Sequence, residues 1–185
     1  VKWFSATRAR WHCHVNATAP STTLREWLTL DTSLTTHLRA CSLSFRVQRL
    51  HQRLAPCLAD ECLAIGLARR SIVREREVLL CCDGQPVVFA HTVVPLSATS
   101  ADWPMFRSLG EKSLGASLFG DPQVVRGSLR FSRLPLSHPL MQRIRAATPS
   151  EQIESRLHAR RCLFRRGRGL MLVTEVFLPG IVHLS

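Results

Sequence analysis

Tyrosine is absent from the 185 residues and lysine occurs only as Lys2 and Lys112, although the formal net charge is +12. The charge is therefore almost entirely arginine, which a codon bias toward arginine explains as readily as selection for phosphate contacts. Most of these arginines are scattered through predicted strands and helices without interleaved exposed aromatics, so no nucleic-acid partner is expected. The run from Arg160 to Arg168 is the main exception, and a patch of Arg160, Arg161, Arg165, Arg166 and Arg168 is the rival reading. A basic surface also draws a small dianion toward a pocket, and that use is favoured.

Long hydrophobic runs are missing too. No stretch reaches the apolar length that spans a bilayer, and the opening residues carry charges and histidines where a secretory leader needs an apolar run. A cytoplasmic protein is expected. The seven cysteines are an odd number without paired zinc-ligand spacing. Cys81 and Cys82 would point to opposite faces of a strand, so reduced thiols are expected. His12 and His14 share a strand face but find no convincing third or fourth ligand, and no metal is expected. At this length the chain fits one domain with a proper core. Residues 1–20 form an N-terminal segment and residues 21–185 the domain.

What is present centres on Arg74 to Ser97. Two apolar, β-branched runs flank Asp83-Gly84, a pair that favours the positive-φ turns of a hairpin. If the loop holds two residues, Cys82 pairs with Gln85, Leu80 with Val87, Val78 with Phe89 and Arg76 with His91. Alternation then puts Arg76 and His91 on an otherwise apolar face. A guanidinium there calls for an anion or several acceptors; a rim arginine snorkelling past the sheet edge is the alternative.

Before the hairpin, Thr23-Leu24-Arg25-Glu26 has capping-box spacing and predicts a helix start, with a second cap among Asp31, Thr32 and Ser33. Ser42 to Leu50 alternates with period two and predicts a strand that joins the hairpin. After it, Ser113 can cap a helix from Leu114, where free N–H groups and Gly115 would suit a carboxylate, unless they only shape a connection. Val124 to Leu134 reads as a strand bent at Gly127, and Ser137-His138-Pro139 opens a short helix. Arg160 to Leu178 reads as a second hairpin. Within it Glu175 shares a face with Met171, Val173 and Phe177; an edge-strand glutamate facing water is the alternative.

The strings R-E-V-L-L-C-C-D-G-Q-P, H-T-V-V-P-L-S, S-L-G-A-S-L-F and V-T-E-V-F-L-P together resemble the chorismate lyase (chorismate pyruvate-lyase) family. R-W-H-C-H-V and L-R-E-W-L-T-L-D-T-S-L-T also fit, so the likeness runs in order from about Arg10 to Pro179. It implies a single α+β domain, an antiparallel sheet with helices packed against it and a ligand pocket enclosed under helical flaps. The implied activity is a carbon–oxygen lyase that eliminates pyruvate from chorismate to give 4-hydroxybenzoate, the first committed step toward ubiquinone. A monomer without a cofactor is expected. Carried over by motif, Arg76 binds a carboxylate, the Leu114 backbone adds a contact, Glu175 meets the ring hydroxyl and Leu34 is the flap position. The family can have arginine before T-V-V-P; His91 stands there and is the remaining substrate-binding candidate. The competing class is a non-catalytic effector-binding module of the same fold. Such modules normally follow a winged-helix DNA-binding domain, for which there is no room before Leu24, so an enzyme is expected.

Overall fold

Asp83 and Gly84 adopt φ values of 50° and 82°, the left-handed pair that closes a two-residue hairpin turn. They join the two longest apolar strands of the chain, β2 (Ile72–Cys82) and β3 (Gln85–Pro95). The structure, a computed structural model, describes residues 8–98 and 101–184. Around this hairpin, β1 (Phe45–Pro56) pairs with β2, and β7 (Gly169–Phe177) pairs with β3 and β6 (Arg156–Arg166). The short β4 (Val124–Arg126) and β5 (Arg130–Pro135) both pair with β6, giving a seven-stranded antiparallel sheet. The break between them falls at the expected bend. A Cβ on Gly127 would lie 2.9 Å from the Leu163 carbonyl oxygen, so only glycine fits there.

The hairpin register differs from expectation. Cys82 does pair with Gln85, but Leu80 lies opposite Val88, Val78 opposite Ala90, and Arg76 opposite Thr92. The ladder slips between Leu80 and Cys81, leaving Val87 as an extra residue. Pro86 has no N–H to give the ladder, which accounts for a bulge at this place. One extra residue inverts the facing of everything after it. Phe89 and His91 therefore turn away from Arg76, and Ala90 and Thr92 take their places.

Both faces of the sheet are covered. On the Arg76 face lie α1 (Thr22–Thr29), α2 (Leu34–Ala40) and α3 (Leu114–Gly120), with Trp27, Leu28, Leu34 and Leu38 packed on Val47, Val78 and Leu80. Helix α1 starts a little before the expected cap, because Ser21, not Thr23, accepts from the Leu24 amide at 3.3 Å. Burying Leu34 and Leu38 stabilises the seven-residue α2 by roughly 3–6 kcal/mol. A helix this short has little stability of its own, so α2 is held down by these two side chains. On the other face, α4 (Pro139–Ala147) and the turns of residues 57–67 cover Leu79, Phe89 and Val176. Trp11 joins that side through a 2.9 Å hydrogen bond to Asp60, so residues 8–20 pack on the domain. Among the described residues no helix is long and apolar enough to cross a membrane.

The second face also buries charge. Glu61, Glu75 and Glu77 are at most 2% exposed. His91 Nδ1 lies 2.9 Å from Glu77, and its Nε2 lies 3.2 Å from Glu61, off the ideal hydrogen-bond direction. Arg143 of α4 bonds Glu75 at 3.0 Å and also Glu77. Burial alone would strip the proton from His91, but Glu61 and Glu77 outweigh it and raise its pKa from 6.5 to about 10. Burial likewise opposes ionised Glu77, yet His91 and Arg143 bring it down from 4.5 to about 2.

The stabilisation from His91 is therefore complete below its unfolded pKa of 6.5 and is lost as pH rises to about 10. That from Glu77 is complete above 4.5 and is lost as pH falls toward about 2. Urea unfolding across this range should show a plateau between those unfolded values, with stability declining on either side. His91→Gln should lower the plateau and flatten the alkaline limb. Equal alkaline slopes in the two proteins would rule out His91 as the titrating group.

Candidate active site

The α2 and α3 helices roof a cavity whose floor is the Arg76 face of the sheet. Alternation determines the floor: Arg76, Val78 and Leu80 of β2, Ala90 and Thr92 of β3, Val173 and Glu175 of β7, and Arg160 and Cys162 of β6. The enclosed space is about 70 Å³, several times what one water needs. Its walls are mainly apolar, and their charge comes from Arg76, Arg126, Arg160 and Glu175.

Arg76 is 2% exposed, so it is no rim arginine. Its Nη2 donates to the carbonyl oxygens of Gly110 and Lys112, each at 2.9 Å. Gly110 makes that turn with φ of 55°, bringing the loop back over the arginine. Nε is buried without a hydrogen-bond partner, and among the described residues no carboxylate pairs with the side chain. Burial and the nearby Arg49 guanidinium lower its pKa to about 10, which still leaves it charged at neutral pH. A buried cation whose nearest acceptors are neutral carbonyls is only partly compensated.

Glu175 lies on β7 between β3 and β6, so it is not on an edge strand. Its Oε2 accepts from Arg160 Nε at 2.5 Å. Among the described residues nothing bonds to Oε1, and the side chain is 19% exposed. Arg160, opposite Glu175 in the ladder, is itself buried. Its Nη1 reaches three carbonyls at the end of α1, those of Trp27, Leu28 and Leu30, at 3.1, 3.3 and 2.7 Å. These are groups a helix end leaves unsatisfied. Sequence reading put Arg160 in a basic patch, and the geometry corrects this. Arg161 turns to the other face and stacks on Trp11 at 4.3 Å, while Arg166 pairs with Asp121 at 2.8 Å. The signal for Arg160 was its position across from Glu175 in the second hairpin.

Leu34 and Leu114 both line the cavity, at the first positions of α2 and α3. Ser113 stands at the N-cap of α3 as expected but does not cap it. Its hydroxyl donates to Thr35 Oγ1 at 2.8 Å, joining the two flaps. The first-turn amides of α3 thus have no side-chain cap. A Cβ on Gly115 would come within 3.0 Å of Ser33 Oγ, so glycine is what lets the helix ends meet. His91, the remaining candidate, is on the opposite face with Glu61 and Glu77 and does not line the cavity. The Pro86 bulge is the reason.

Cys162 lines the cavity, but burial raises its thiol pKa, and it donates to the Gly127 carbonyl at 3.2 Å. A neutral thiol is not a nucleophile. For a metal, ligand atoms of His51, Glu75 and Glu77 lie within 4.8 Å of one another, on the far face of the sheet. Arg143 already supplies the positive charge against both carboxylates.

A family model described as chorismate lyase matches residues 5–183. The chain is 48% identical over 177 residues to a "Probable chorismate pyruvate-lyase" of Cupriavidus metallidurans, covering 95% of this chain and 82% of that protein. It is 46% identical over 179 residues to the protein of the same name from Cupriavidus pinatubonensis, covering 96% and 92%. Among solved structures, the effector domain of PhnF from Mycobacterium smegmatis superposes with a TM-score of 0.55 at 15% identity, over 80% of this chain and 89% of that one. That last likeness is one of fold.

Arg76→Ala should keep its fold by circular dichroism and lose at least about 100-fold in affinity for a small aromatic carboxylate such as benzoate, read by calorimetry. Undiminished affinity would remove the anion site from Arg76. Cys162→Ala should bind as the parent does.

Proposed function

Because this chain belongs to the chorismate lyase family, we propose that it eliminates pyruvate from chorismate to release 4-hydroxybenzoate, supplying the ring for ubiquinone. The observation that carries the reading is the pairing, in one mainly apolar cavity, of the uncompensated Arg76 cation with a Glu175 carboxylate that has one oxygen unused. A para-substituted ring with an acid at one end and a hydroxyl at the other matches that pair. The ring carboxylate meets Arg76 and the Leu114 amide, and the hydroxyl donates to Glu175 Oε1. Leu34 closes over the ring.

The chemistry asks mainly for orientation and a dry site. The hydrogen on the hydroxyl-bearing ring carbon moves to the enolpyruvyl methylene. The ring C–O bond breaks, and the ether oxygen becomes the ketone oxygen of pyruvate. Atoms and charge balance within the substrate, and aromatisation drives the step. Neither a redox partner nor a protein base is required. Holding the reacting groups in line is the enzyme's contribution. Arg160 fixes one oxygen of Glu175, and so the direction from which the other accepts.

A second reading follows from the likeness to the PhnF effector domain. The cavity would then hold a ring carboxylate without transforming it. Incubation with chorismate, followed by assay of pyruvate and 4-hydroxybenzoate, separates the two. Equimolar release of both products is expected, and tight binding without release would favour the effector module. Glu175→Gln should retain the hydroxyl contact, with turnover about tenfold lower from the weaker hydrogen bond and an unchanged pH profile. A displaced profile would instead make Glu175 a proton carrier.

A further inference from the structure

Among the described residues three arginines and one carboxylate line the cavity. Glu175 neutralises Arg160 at 2.5 Å. Arg76 and Arg126 are left, and among the described residues neither pairs with a carboxylate. The cavity therefore holds two uncompensated positive charges. Chorismate brings two negative ones, on the ring and on the enolpyruvyl group, whereas 4-hydroxybenzoate retains only the first.

Arg126 is the last residue of β4 and pairs in the ladder with Phe164 of the cavity wall. Its Nη1 donates to the Asp31 carbonyl, just before α2. Its guanidinium carbon lies 5.4 Å from the centre of the Phe119 ring on α3. Nε is buried and unpartnered. The side chain is thus held at both flaps, lies beside the Cys162 thiol of the floor and keeps a buried Nε–H without a partner. We infer that Arg126 binds the enolpyruvyl carboxylate, the group that leaves as pyruvate. The assignment rests on the proposed lyase activity. It makes Arg126 a residue specific to substrate, whereas Arg76 serves substrate and product alike.

The test is a split between substrate and product. In Arg126→Gln, kcat/KM for chorismate should fall by about 100-fold or more, while the 4-hydroxybenzoate Kd from calorimetry stays within about twofold of the parent value. Arg126→Lys retains the charge without the fork and should recover part of the loss. It also provides the measurement if the glutamine variant does not fold. Unchanged chorismate kinetics in either folded variant would overturn the assignment. Parallel losses for chorismate and 4-hydroxybenzoate would overturn it as well, because they would make Arg126 a fastener of the flaps. Absence of pyruvate release by the parent protein would overturn the lyase reading and this assignment with it, a result distinct from normal parent turnover with an indifferent variant.

Discussion

A guanidinium buried without a counter-ion is the constraint on which the cavity depends. Withdrawing Arg76 from water costs several kcal/mol, and two carbonyls of the loop before α3 offset only part of that. The apolar floor, the flaps and the Gly110 turn all act to keep water from completing the solvation. In such a site an anion gains more than it would at the surface, because its charge is opposed at low dielectric and its partner is already in place. Ligand binding and stability are consequently linked: an occupant that compensates Arg76 stabilises the folded chain by an amount that grows with the logarithm of its affinity.

The two faces of the sheet handle charge in opposite ways. Beneath it, three buried glutamates are met by His91, Arg143 and the rim side chains His51 and Arg53, so the layer is compensated from within. Above it, Glu175 is the one carboxylate among the described lining residues and faces three arginines. Adjacent residues of β2 contribute to both, with Arg76 pointing up and Glu75 and Glu77 pointing down. A shift of β2 by one residue would put carboxylates in the cavity and the arginine in the compensated layer. Register is thus as much an electrostatic requirement as a packing one.

Much of this was legible in the sequence because period-two alternation is a strong signal. The Asp83-Gly84 turn, the apolar company of Arg76 and the matching anomaly at Glu175 were all readable from residue order alone, as was the bend at Gly127. His91 was misplaced for a physical reason also written there. Pro86 interrupts the ladder, and a bulge beside it reverses the facing of every later residue in β3. Arg160 and Arg126 were harder to see, since each lies in a region where basic residues are common. Only the pairing of β6 with both β7 and β4 brings them over the same floor as Arg76. The Ser113 hydroxyl was expected to cap its own helix. It bonds to Thr35 instead, a partner that no local pattern announces.

The attachments of the roof are unequal in strength. Helix α1 is tied to the floor by Arg160 Nη1, whose two hydrogens serve three carbonyls, and a bond from such a charged donor is worth roughly 1.5–3 kcal/mol. The α2–α3 contact holds a neutral Ser113–Thr35 bond, worth about 1 kcal/mol, and is bridged by Arg126, which bonds the Asp31 carbonyl before α2 and lies over the Phe119 ring of α3. Lifting α1 would also leave Arg160 and Glu175 without their shared setting, whereas lifting α2 and α3 leaves that pair intact. Arg160 gives the floor its permanence: it ties the end of α1 to the Glu175 carboxylate.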